Sequence, residues 1–376
     1  MLSDRQQKIL DVFLEEPGIP RIAGDLEMES VERTTLFRDL RKMVELKLLD
    51  LKGKKYCLNK ESDAYLEWDL TRPPSMRPAV RYSPDLLDAY EPNRSFLLTR
   101  EQQQTLSRLG NVTGIKAPLE GKPYERILST LMIDLSHASS NLENVKISWL
   151  DTKTLIEFGE IPNGLTEKQL QVVLNHKTAI SYLVEHGKNL SLCKRDLMDV
   201  HKLLLHGLIA DTSALGALRK KVVGFEDSRY LPPDTPQQLK EYFETFCDKV
   251  VRIECPHEQA FFTMIFIPYI QPFQDGNKRT SRIAMNIPLV KNELAPFSFT
   301  DIGRRDYMFG LLAFYERGKH HFLAQYFTDA YVKSATRYTE LVQFVRDGGL
   351  LGTISSQPKE NPVSRKPRGR GASLVP

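Results

Sequence analysis

The chain has 376 residues, a formal net charge of +4, 41% hydrophobic residues and 9% aromatic residues, the composition of an ordinary folded protein with room for two or three domains. The charge is too small to establish a nucleic-acid partner. The longest apolar run, 260–270, is shorter than the roughly 20 residues of a membrane-spanning helix. The N-terminus also lacks the apolar stretch of a secretory signal, so we expect a cytoplasmic protein without a membrane partner.

Residues 1–60 contain three short helical patterns followed by two extended runs. The first pattern is amphipathic and ends before Pro17 and Gly18. The second predicts a single short helix around Ile22, Ala23 and Leu26, and the third begins after Ser30, a plausible N-cap. The third pattern has an apolar stripe at helical spacing, formed by Leu36, Leu40, Met43 and Val44.

The two extended runs, 48–51 and 54–58, are joined through Gly53 and predict a small β-hairpin. With the helices before it, this hairpin resembles the wing of the winged helix-turn-helix domains of DNA-binding regulators. Residues 33–60 hold nine basic against three acidic residues, whereas residues 1–32 hold three basic against eight acidic ones. The basic surface is therefore concentrated on the third helix and the wing.

We predict that this surface binds DNA. The third helix would enter the major groove with Thr34, Thr35 and Arg38 near base edges, while phosphates would meet Arg33, Lys52, Lys54 and Lys55. The alternative is a winged helix that serves only for protein contacts or dimerisation.

The rest of the chain divides into a linker, a helical region and a tail. Residues 61–95 hold five prolines and few periodic apolar residues, which predicts a semi-extended, Pro-rich linker. Helical patterns dominate from 96 to about 345, and the alternation within 222–231 around Gly224 predicts a short hairpin. Residues 346–376 are rich in Gly, Pro and Ser and predict a disordered basic tail.

The segment 271–282, QPFQDGNKRTSR, predicts a phosphate site. Gly276 and Asn277 open a helix, where unpaired backbone N–H groups attract phosphate. Arg279 and Arg282 are three residues apart, so they share one helix face and can both reach a polyphosphate. Asp275 comes directly before the helix and is placed to hold a Mg²⁺ that bridges two phosphates.

This segment resembles the motif of the Fic family, HPFx(D/E)GN(G/K)RxxR, whose members typically transfer AMP from ATP to a hydroxyl of a protein. The resemblance implies a mainly α fold, with an all-helical Fic core and a short β-hairpin flap, here preceded by a small α/β winged-helix domain. It also implies ATP and Mg²⁺ as cofactors and Asp275 as the metal ligand. The nucleotide-binding residues would be Gly276, Asn277 (at the α-phosphate), Lys278, and Arg279 and Arg282 (at the β- and γ-phosphates).

Two other parts of the family pattern occur in the same order. Residues 139–144, SSNLEN, resemble the inhibitory motif (S/T)xxxE(G/N), in which the glutamate pairs with the second arginine of the loop. Carried over, the motif begins at Ser139 and predicts a salt bridge between Glu143 and Arg282. Residues 216–231 are similar to the GxxR and flap that hold a target peptide by β-augmentation, which assigns Arg219, Gly224 and Phe225 to the flap.

These patterns give the expected domain boundaries. They are a winged helix-turn-helix at 1–60, the linker at 61–95, a Fic N-terminal region with the inhibitory helix at 96–150, the Fic core at 151–345 and the tail at 346–376.

Gln271 stands where the family motif has its catalytic histidine. AMP transfer needs a base that accepts the proton of the attacking hydroxyl, and histidine suits this role because its pKa is near neutrality. A glutamine amide cannot accept that proton. Gln271 is thus a degenerate base position. We predict that the chain still binds nucleotide and that AMP transfer is impaired. Lys278 resembles the lysine of the related Doc toxins, which phosphorylate their target, but those keep the histidine and have alanine where this chain has Gly276.

Three functions remain open from the sequence. The first is a Fic-type protein adenylyltransferase, inhibited by Glu143, that acts on a Ser, Thr or Tyr hydroxyl of a protein target. The second is a nucleotide-responsive, DNA-binding transcription regulator with a pseudo-enzyme Fic domain. The third is a scaffold whose flap binds a peptide strand without reaction. Whether the chain forms a homodimer is also open.

Overall fold

The computed structural model describes residues 2–16, 18–26, 31–110 and 122–347. Its N-terminal part is a small α/β domain whose strands form one antiparallel sheet in the order β1-β3-β2. The elements of this domain are α1 (Asp4–Glu15), β1 (Arg21–Ile22), α2 (Arg33–Glu45), β2 (Leu49–Lys52) and β3 (Lys55–Leu58). The predicted third helix and hairpin are both present.

The core of this domain is formed by the apolar stripes of α1 and α2. Phe13 and Leu40 are fully buried and belong to one cluster with Leu36 and Met43, while Val44 packs partly buried at its edge. Buried apolar stripes of this kind hold short helices together when their intrinsic helical stability is low.

The predicted second helix is wrong in its type. Ile22 lies in β1 and pairs with Lys55, and only a three-residue 3-10 turn follows at Ala23–Asp25. The strand forms because Ile22 and its neighbour find a partner in β3, which a local helical pattern does not reveal. Ser30 lies outside the described residues, and the residue that precedes α2 is Glu32.

The segment predicted as a semi-extended linker is largely ordered by tertiary contacts. It contains the helix α3 (Asp63–Thr71), the strand β4 (Val80–Arg81) and the short helix α4 (Asp85–Asp88). The prediction failed at α3 because the five prolines of the segment all follow residue 72, so none of them interrupts this helix. Ser62 caps the helix by accepting from the Tyr65 N–H.

Helix α3 joins the two halves of the molecule. Tyr65 and Trp68 belong to the core of the small domain, whereas Leu66 and Leu70 form a cluster with Ala313 of the helical part. Its apolar residues therefore face two partners, and the segment is a packed connection between them.

The helical part is built around α11 (Pro256–Ile270), in which every residue from Ala260 to Ile270 is buried. The core helix predicted from this apolar run is confirmed, and among the described residues no helix is long and apolar enough to span a membrane. The other helices are α5 (Arg100–Gly110), α6 (Lys122–Leu142), α7 (Trp149–Phe158), α8 (Glu167–His186), α9 (Lys194–Leu205), α10 (Pro236–Val250), α12 (Asn277–Ala284), α13 (Ile287–Lys291), α14 (Arg304–Arg317) and α15 (His321–Arg346).

The hairpin predicted within 222–231 is not formed. The only strand assigned in this segment is β5 (Tyr230–Leu231), and it pairs in parallel with β4. Gly224 does not have the positive φ that a tight hairpin turn requires, and the strand partner comes from residues about 150 positions earlier in the chain. The predicted tail begins at the last residue of α15, and residues 348–376 lie outside the described part.

Candidate active site

The predicted phosphate loop connects α11 to α12. Helix α11 ends where Gln271 adopts a left-handed conformation with φ 53° and ψ 57°, and α12 begins after Gly276, which is left-handed as well. The first N–H groups of α12 have no acceptor within the helix, so this end attracts anions. The backbone is thus arranged as the sequence predicted.

The side chain of Asn277 holds the loop together. Its Oδ1 accepts from the Phe273 N–H at 2.9 Å, and its Nδ2 donates to the Phe273 carbonyl and to Gln271 Oε1, both at 2.8 Å. The Gln271 Nε2 donates to the Pro268 carbonyl at 2.7 Å. Both ends of the Gln271 amide are therefore engaged within the protein, and Asn277 acts in this structure as a brace of the loop.

Arg219 is placed differently from its predicted position in a target-binding flap. Its side chain is buried, and its guanidinium donates to three backbone carbonyls, those of Gln271, Lys221 and Pro233. Its own N–H donates to the Pro272 carbonyl at 2.9 Å. A guanidinium occupied in this way cannot contact a peptide, so Arg219 is a clamp of the loop. The prediction failed because two of these carbonyls, those of Gln271 and Pro233, come from parts of the chain that the local pattern does not include.

His201 packs against the loop, and the sequence did not predict this residue. Its ring stacks on Phe273 with centroids 3.9 Å apart, and its Nδ1 accepts from the Gly216 N–H at 3.0 Å. The remaining Nε2–H then donates to the Asp275 carbonyl at 3.1 Å. Burial lowers the pKa of His201 to about 4, so the ring is neutral near pH 7. No motif marks this residue, because its role depends on packing.

Gly276 allows the loop to approach α9 closely. It has φ 75°, and a Cβ placed there would lie well inside contact distance of the Leu205 side chain. We expect Gly276→Ala to lower the free energy of unfolding by about 3 kcal/mol, since left-handed strain costs about 1 to 2 kcal/mol and overpacking adds to it. Urea denaturation measures this loss.

Gly159 provides the matched control for that variant. It has φ 74°, and no atom lies within 4 Å of the place that a Cβ would take, so Gly159→Ala carries the backbone strain alone and should cost about 1 kcal/mol. Equal losses in the two variants would show that the contact with Leu205 is unimportant.

The ion pair expected between Glu143 and Arg282 is present. Glu143 follows the end of α6, and its Oε1 accepts from Arg282 Nη2 at 2.7 Å, while its Oε2 lies 3.6 Å from Arg279 Nε. The Nε of Arg282 donates to the Ser139 hydroxyl at 2.9 Å. Arg282 is fully buried, so the carboxylate of Glu143 and the Ser139 oxygen atoms neutralise and solvate a guanidinium that has no access to solvent.

Asp275 and Arg279 are also paired in this structure. Arg279 Nη2 donates to Asp275 Oδ2 at 2.9 Å, and the Asp275 side chain is 53% exposed. The described residues contain no group of three or more His, Cys, Asp or Glu that could hold a metal ion. A single exposed carboxylate beside an anion site nevertheless fits Mg²⁺, which commonly takes one or two carboxylates together with phosphates and water.

The electrostatics of this cluster favour an ionised Glu143 and a neutral His176. Burial alone would raise the pKa of Glu143, but the attraction of Arg282, Arg279 and Lys278 outweighs it and lowers the pKa to about 2. His176 is fully buried and contacts the hydroxyls of Ser139 and Ser140. Burial lowers its pKa to about 3.

These pKa values predict how stability depends on pH. Because the folded pKa of Glu143 is below its ordinary value of 4.5, its contribution is complete above that value and is lost as the pH falls towards 2. With 22% of its side chain exposed, we expect the loss to reach about 2 kcal/mol. Urea denaturation at pH 5 to 2.5 should show a shallower pH dependence for Glu143→Gln. The contribution of His176, lost from about pH 6.5 downward, should remain in that variant, and equal slopes at low pH would contradict the assignment.

A cavity of about 340 Å³ opens beside the loop. Of the residues predicted from the sequence, it brings together Glu143, Gly224, Phe225, Gln271, Asp275, Gly276, Asn277 and Lys278. Ser139, Arg219, Arg279 and Arg282 do not line it. The two arginines predicted to meet a polyphosphate instead face Glu143, which stands between Arg282 and the cavity.

One wall of the cavity comes from α14, which no sequence motif connects with the site. Arg304, Met308, Leu312 and Tyr315 line the cavity, and their spacing places them on one helix face. Such a stripe in a sequence is typical of ordinary core packing, so only the packing of α14 against the loop identifies it.

The residues predicted to bind DNA lie on the separate N-terminal domain. Most of them are exposed and Thr35 is half-buried; the set is Arg33, Thr34, Thr35, Arg38, Lys52, Lys54 and Lys55. The Arg33 guanidinium lies over the ring of Phe37, which is 43% exposed. The surface is thus available to a ligand, and it lies outside the cavity described above.

Comparison with known proteins finds a family match within the helical part. Residues 191–289, which include α11, the loop and α12, match the model of the Fic/DOC family. The protein adenylyltransferase Fic of Nematostella vectensis is 25% identical over 201 residues, which are 50% of this chain and 45% of that protein. The protein adenylyltransferase fic-1 of Caenorhabditis elegans is 23% identical over 235 residues, which are 60% and 45% of the two chains. The chain spans about half the length of these curated relatives.

Solved structures share the fold. Fic-1 from C. elegans superposes with a TM-score of 0.52 at 19% identity, over 64% of this chain and 71% of that one. A Fic domain containing signaling protein from Bacteroides thetaiotaomicron gives a TM-score of 0.51 at 15% identity, over 65% and 96% of the two chains. These likenesses confirm the mainly helical fold expected from the motif.

Proposed function

We propose that this chain, which carries a Fic/DOC domain, binds Mg-ATP beside Gly276 on a scaffold for AMP transfer to a protein hydroxyl. In the state described, Glu143 closes the phosphate site, and Gln271 leaves the transfer without its base. The observation that carries the proposal is the carboxylate of Glu143, which pairs with Arg279 and Arg282 of α12, the helix whose N-terminal end attracts anions. The names of the curated relatives supply the class of reaction.

The phosphates would lie against the N-terminus of α12. Lys278 lines the cavity, and Arg279 and Arg282 would join it once Glu143 moves away. Asp275 would hold Mg²⁺, which would supply positive charge to neutralise the phosphates. For this the carboxylate would exchange its pairing with Arg279 for the metal, and the arginine would turn to the phosphate.

The absence of a base limits the chemistry. The Gln271 amide cannot take up a proton from the attacking hydroxyl at ordinary pH. His201 does not replace it, because both of its ring nitrogens are engaged by the backbone and its pKa is lowered to about 4 by burial. We expect positioning and electrostatic stabilisation of the phosphates to remain while proton transfer is lost.

The target would bind along residues 223–228. This segment has no assigned strand structure, and it forms one wall of the cavity. The backbone groups of 223–226 are therefore available to an extended peptide that adds as a strand and presents a Ser, Thr or Tyr hydroxyl to the nucleotide, whereas the Asp227 carbonyl is held by Arg77.

Calorimetric titration with ATP tests this proposal. With Mg²⁺ present, we expect saturable binding to the chain, and we expect Asp275→Ala to remove the gain in affinity that Mg²⁺ provides. Failure of both the parent chain and Glu143→Gly to bind Mg-ATP would contradict the nucleotide site.

A second candidate function is a DNA-binding regulator whose Fic/DOC domain senses nucleotide. It is favoured by the exposure of the basic residues on α2 and the hairpin. We expect a fluorescent duplex to bind with an affinity that falls steeply with salt, and replacement of Lys52, Lys54 and Lys55 by alanine to reduce the salt slope by about 3. Fluorescence anisotropy measures both effects.

Lys8→Ala is the control for this experiment, since Lys8 is an exposed lysine on α1 and does not belong to the residues predicted to bind DNA. Equal effects of Lys8→Ala and the triple variant, or no binding at low salt, would exclude DNA recognition by this face. A DNA affinity that changes with Mg-ATP, without label transfer to protein, would favour the regulator over the adenylyltransferase.

A further inference from the structure

Three consecutive residues in the last turn of α14, Tyr315, Glu316 and Arg317, contact three different parts of the molecule. Tyr315 lines the cavity. Glu316 points into a buried site beneath the segment 227–229, and Arg317 pairs with Asp69 of α3, the helix that packs on the N-terminal domain. This turn therefore lies where three features meet: the cavity, the flap segment that contains residues 223–229, and helix α3, which connects to the small domain.

Glu316 binds the flap segment through one carboxylate oxygen. Its Oε1 accepts from the Ser228 hydroxyl at 2.7 Å and from the Arg229 N–H at 3.2 Å. The same oxygen accepts from Arg77 Nη1 at 2.8 Å, and Arg77 Nη2 donates to the Asp227 carbonyl at 2.8 Å. Three successive flap residues are thus attached to one ion pair.

This ion pair is fully buried and joins distant parts of the chain. The side chains of Arg77 and Glu316 are 1% and 0% exposed, and 239 positions separate them in the sequence. A buried charge is very unfavourable unless it is paired and hydrogen-bonded. Movement of the flap away from Glu316 would remove two of its partners, so the charge itself opposes that movement.

Beside residues 227–229 the flap is also held by two packed side chains: Tyr230 is buried and donates to the Tyr269 carbonyl at 2.7 Å, and the Phe225 ring packs on Tyr315. The ladder between β4 and β5 has two residue pairs, and on its other side residues 223–226 line the cavity without an assigned strand. Short isolated strand pairs have little stability of their own in water. Between these two packed side chains, residues 227–229 are therefore held mainly by Glu316 and Arg77.

We propose that Glu316 is a positioning residue. Its carboxylate, held by Arg77, fixes residues 227–229 at the wall of the cavity where a target strand meets the nucleotide. Only the identities of the target strand and the nucleotide rest on the proposed function. That Glu316 holds residues 227–229 in place is the mechanical part of the proposal, and it can be tested without any nucleotide chemistry.

Hydrogen–deuterium exchange on the full chain tests the mechanical part. We expect Glu316→Gln to raise the exchange rate of peptides covering 226–232 by about tenfold or more, while peptides of α11 keep the parent rate. Glu61→Gln is the matched control, because Glu61 is an exposed acid that pairs with Lys319 just beyond the same helix. An unchanged flap, or an equal rise throughout the helical part, would overturn the proposal.

A second variant separates positioning from general stability. The pair Arg77→Met with Glu316→Gln leaves no buried charge unpaired, so its thermal midpoint should recover towards that of the parent. The flap should nevertheless remain loose, because the charged acceptor for Ser228 and Arg229 is gone. Return of the flap to the parent exchange rate in this pair would show that the ion pair is merely structural, and would overturn the proposal.

The functional part is measured in the activated background Glu143→Gly with Gln271→His. There, Glu316→Gln should lower label transfer from ATP to proteins of a cell extract by about tenfold, a misplacement effect, with the half-saturating ATP concentration unchanged. A rise in that concentration with unchanged maximal transfer would overturn the positioning role. If the background itself transfers no label, the proposed function fails, and the exchange experiment still decides the role of Glu316.

Discussion

Replacing Gln271 by histidine in a chain that also lacks Glu143 should raise AMP transfer from ATP to protein by about 10²- to 10⁴-fold, the usual contribution of a general base. The two changes remove different obstacles. Glycine at position 143 frees the arginines of the phosphate site, and histidine at position 271 supplies the proton acceptor. We therefore expect the double variant to exceed either single variant.

The structure explains why a histidine would fit at this position. The Pro268 carbonyl has no helical donor, because the residue four positions later is Pro272, which has no N–H. This carbonyl now accepts from Gln271 Nε2. A histidine has a partner there for its Nδ1–H, and a bond of that kind fixes the tautomer in which Nε2 is the base.

Transfer is measured with ATP labelled at the α-phosphate, followed by denaturing electrophoresis of a cell extract. Gln271→Asn in the Glu143→Gly background is the matched control, since it changes the same side chain without adding a base. Equal labelling by the Asn and His variants would contradict the role assigned to position 271, and so would a double variant no better than Glu143→Gly alone.

Removal of Glu143 alone should raise the affinity for Mg-ATP by about 10- to 100-fold. Arg282 is fully buried and its Nη2 donates to Glu143, so the γ-phosphate cannot reach it while the carboxylate remains. A charge-assisted hydrogen bond contributes about 1.5 to 3 kcal/mol, and a tenfold change in affinity corresponds to about 1.4 kcal/mol. Release of one or two arginines to the phosphates accounts for the expected gain.

The same substitution should destabilise the chain when ATP is absent. It leaves Arg282 buried without its carboxylate, and breaking a buried pair in this way costs about 3 to 5 kcal/mol. We therefore expect a lower thermal midpoint for Glu143→Gly than for the parent, and a larger recovery on addition of Mg-ATP, since ligand binding stabilises the folded state more strongly as affinity rises.

Calorimetry and thermal unfolding measure these two effects, with Glu226→Gln as the matched control. Glu226 is an exposed acid that lines the same cavity, so its removal changes the charge of the cavity without freeing an arginine. We expect its effect on affinity to stay within about threefold, as for a screened surface charge. Equal gains in the two variants would mean that Glu143 acts only through its charge.

The parts of the site that depend on short stretches of sequence could be predicted. Between Gln271 and Arg282, the acid and the glycine come directly before a helix start and the two arginines follow at helical spacing, and the geometry of the loop agrees with that expectation. The Glu143 pair was also accessible, because residues 139–144 resemble the inhibitory motif of the family and that resemblance implies the pairing with Arg282.

The parts that depend on distant partners could not be predicted. Arg219 looked like a flap residue, yet its donors are used by backbone carbonyls of Gln271 and Pro233. The strand partner of Tyr230 is Val80, and α3 acquires its order by packing on two separate cores. In each case the local pattern was compatible with several structures, and contacts between residues far apart in the chain selected one of them.

Single-turnover labelling tests the central claim, that nucleotide binding is retained and transfer is lost because the base is absent. Immobilised Glu143→Gly is incubated with α-labelled Mg-ATP and a cell extract that supplies the acceptor hydroxyl, and label is counted on the washed native protein and again after denaturation. We predict that the native protein retains label and that denaturation releases it, whereas in Glu143→Gly with Gln271→His part of the label survives denaturation. Absence of label on the native Glu143→Gly chain, or label on it that survives denaturation as in the double variant, would contradict the claim.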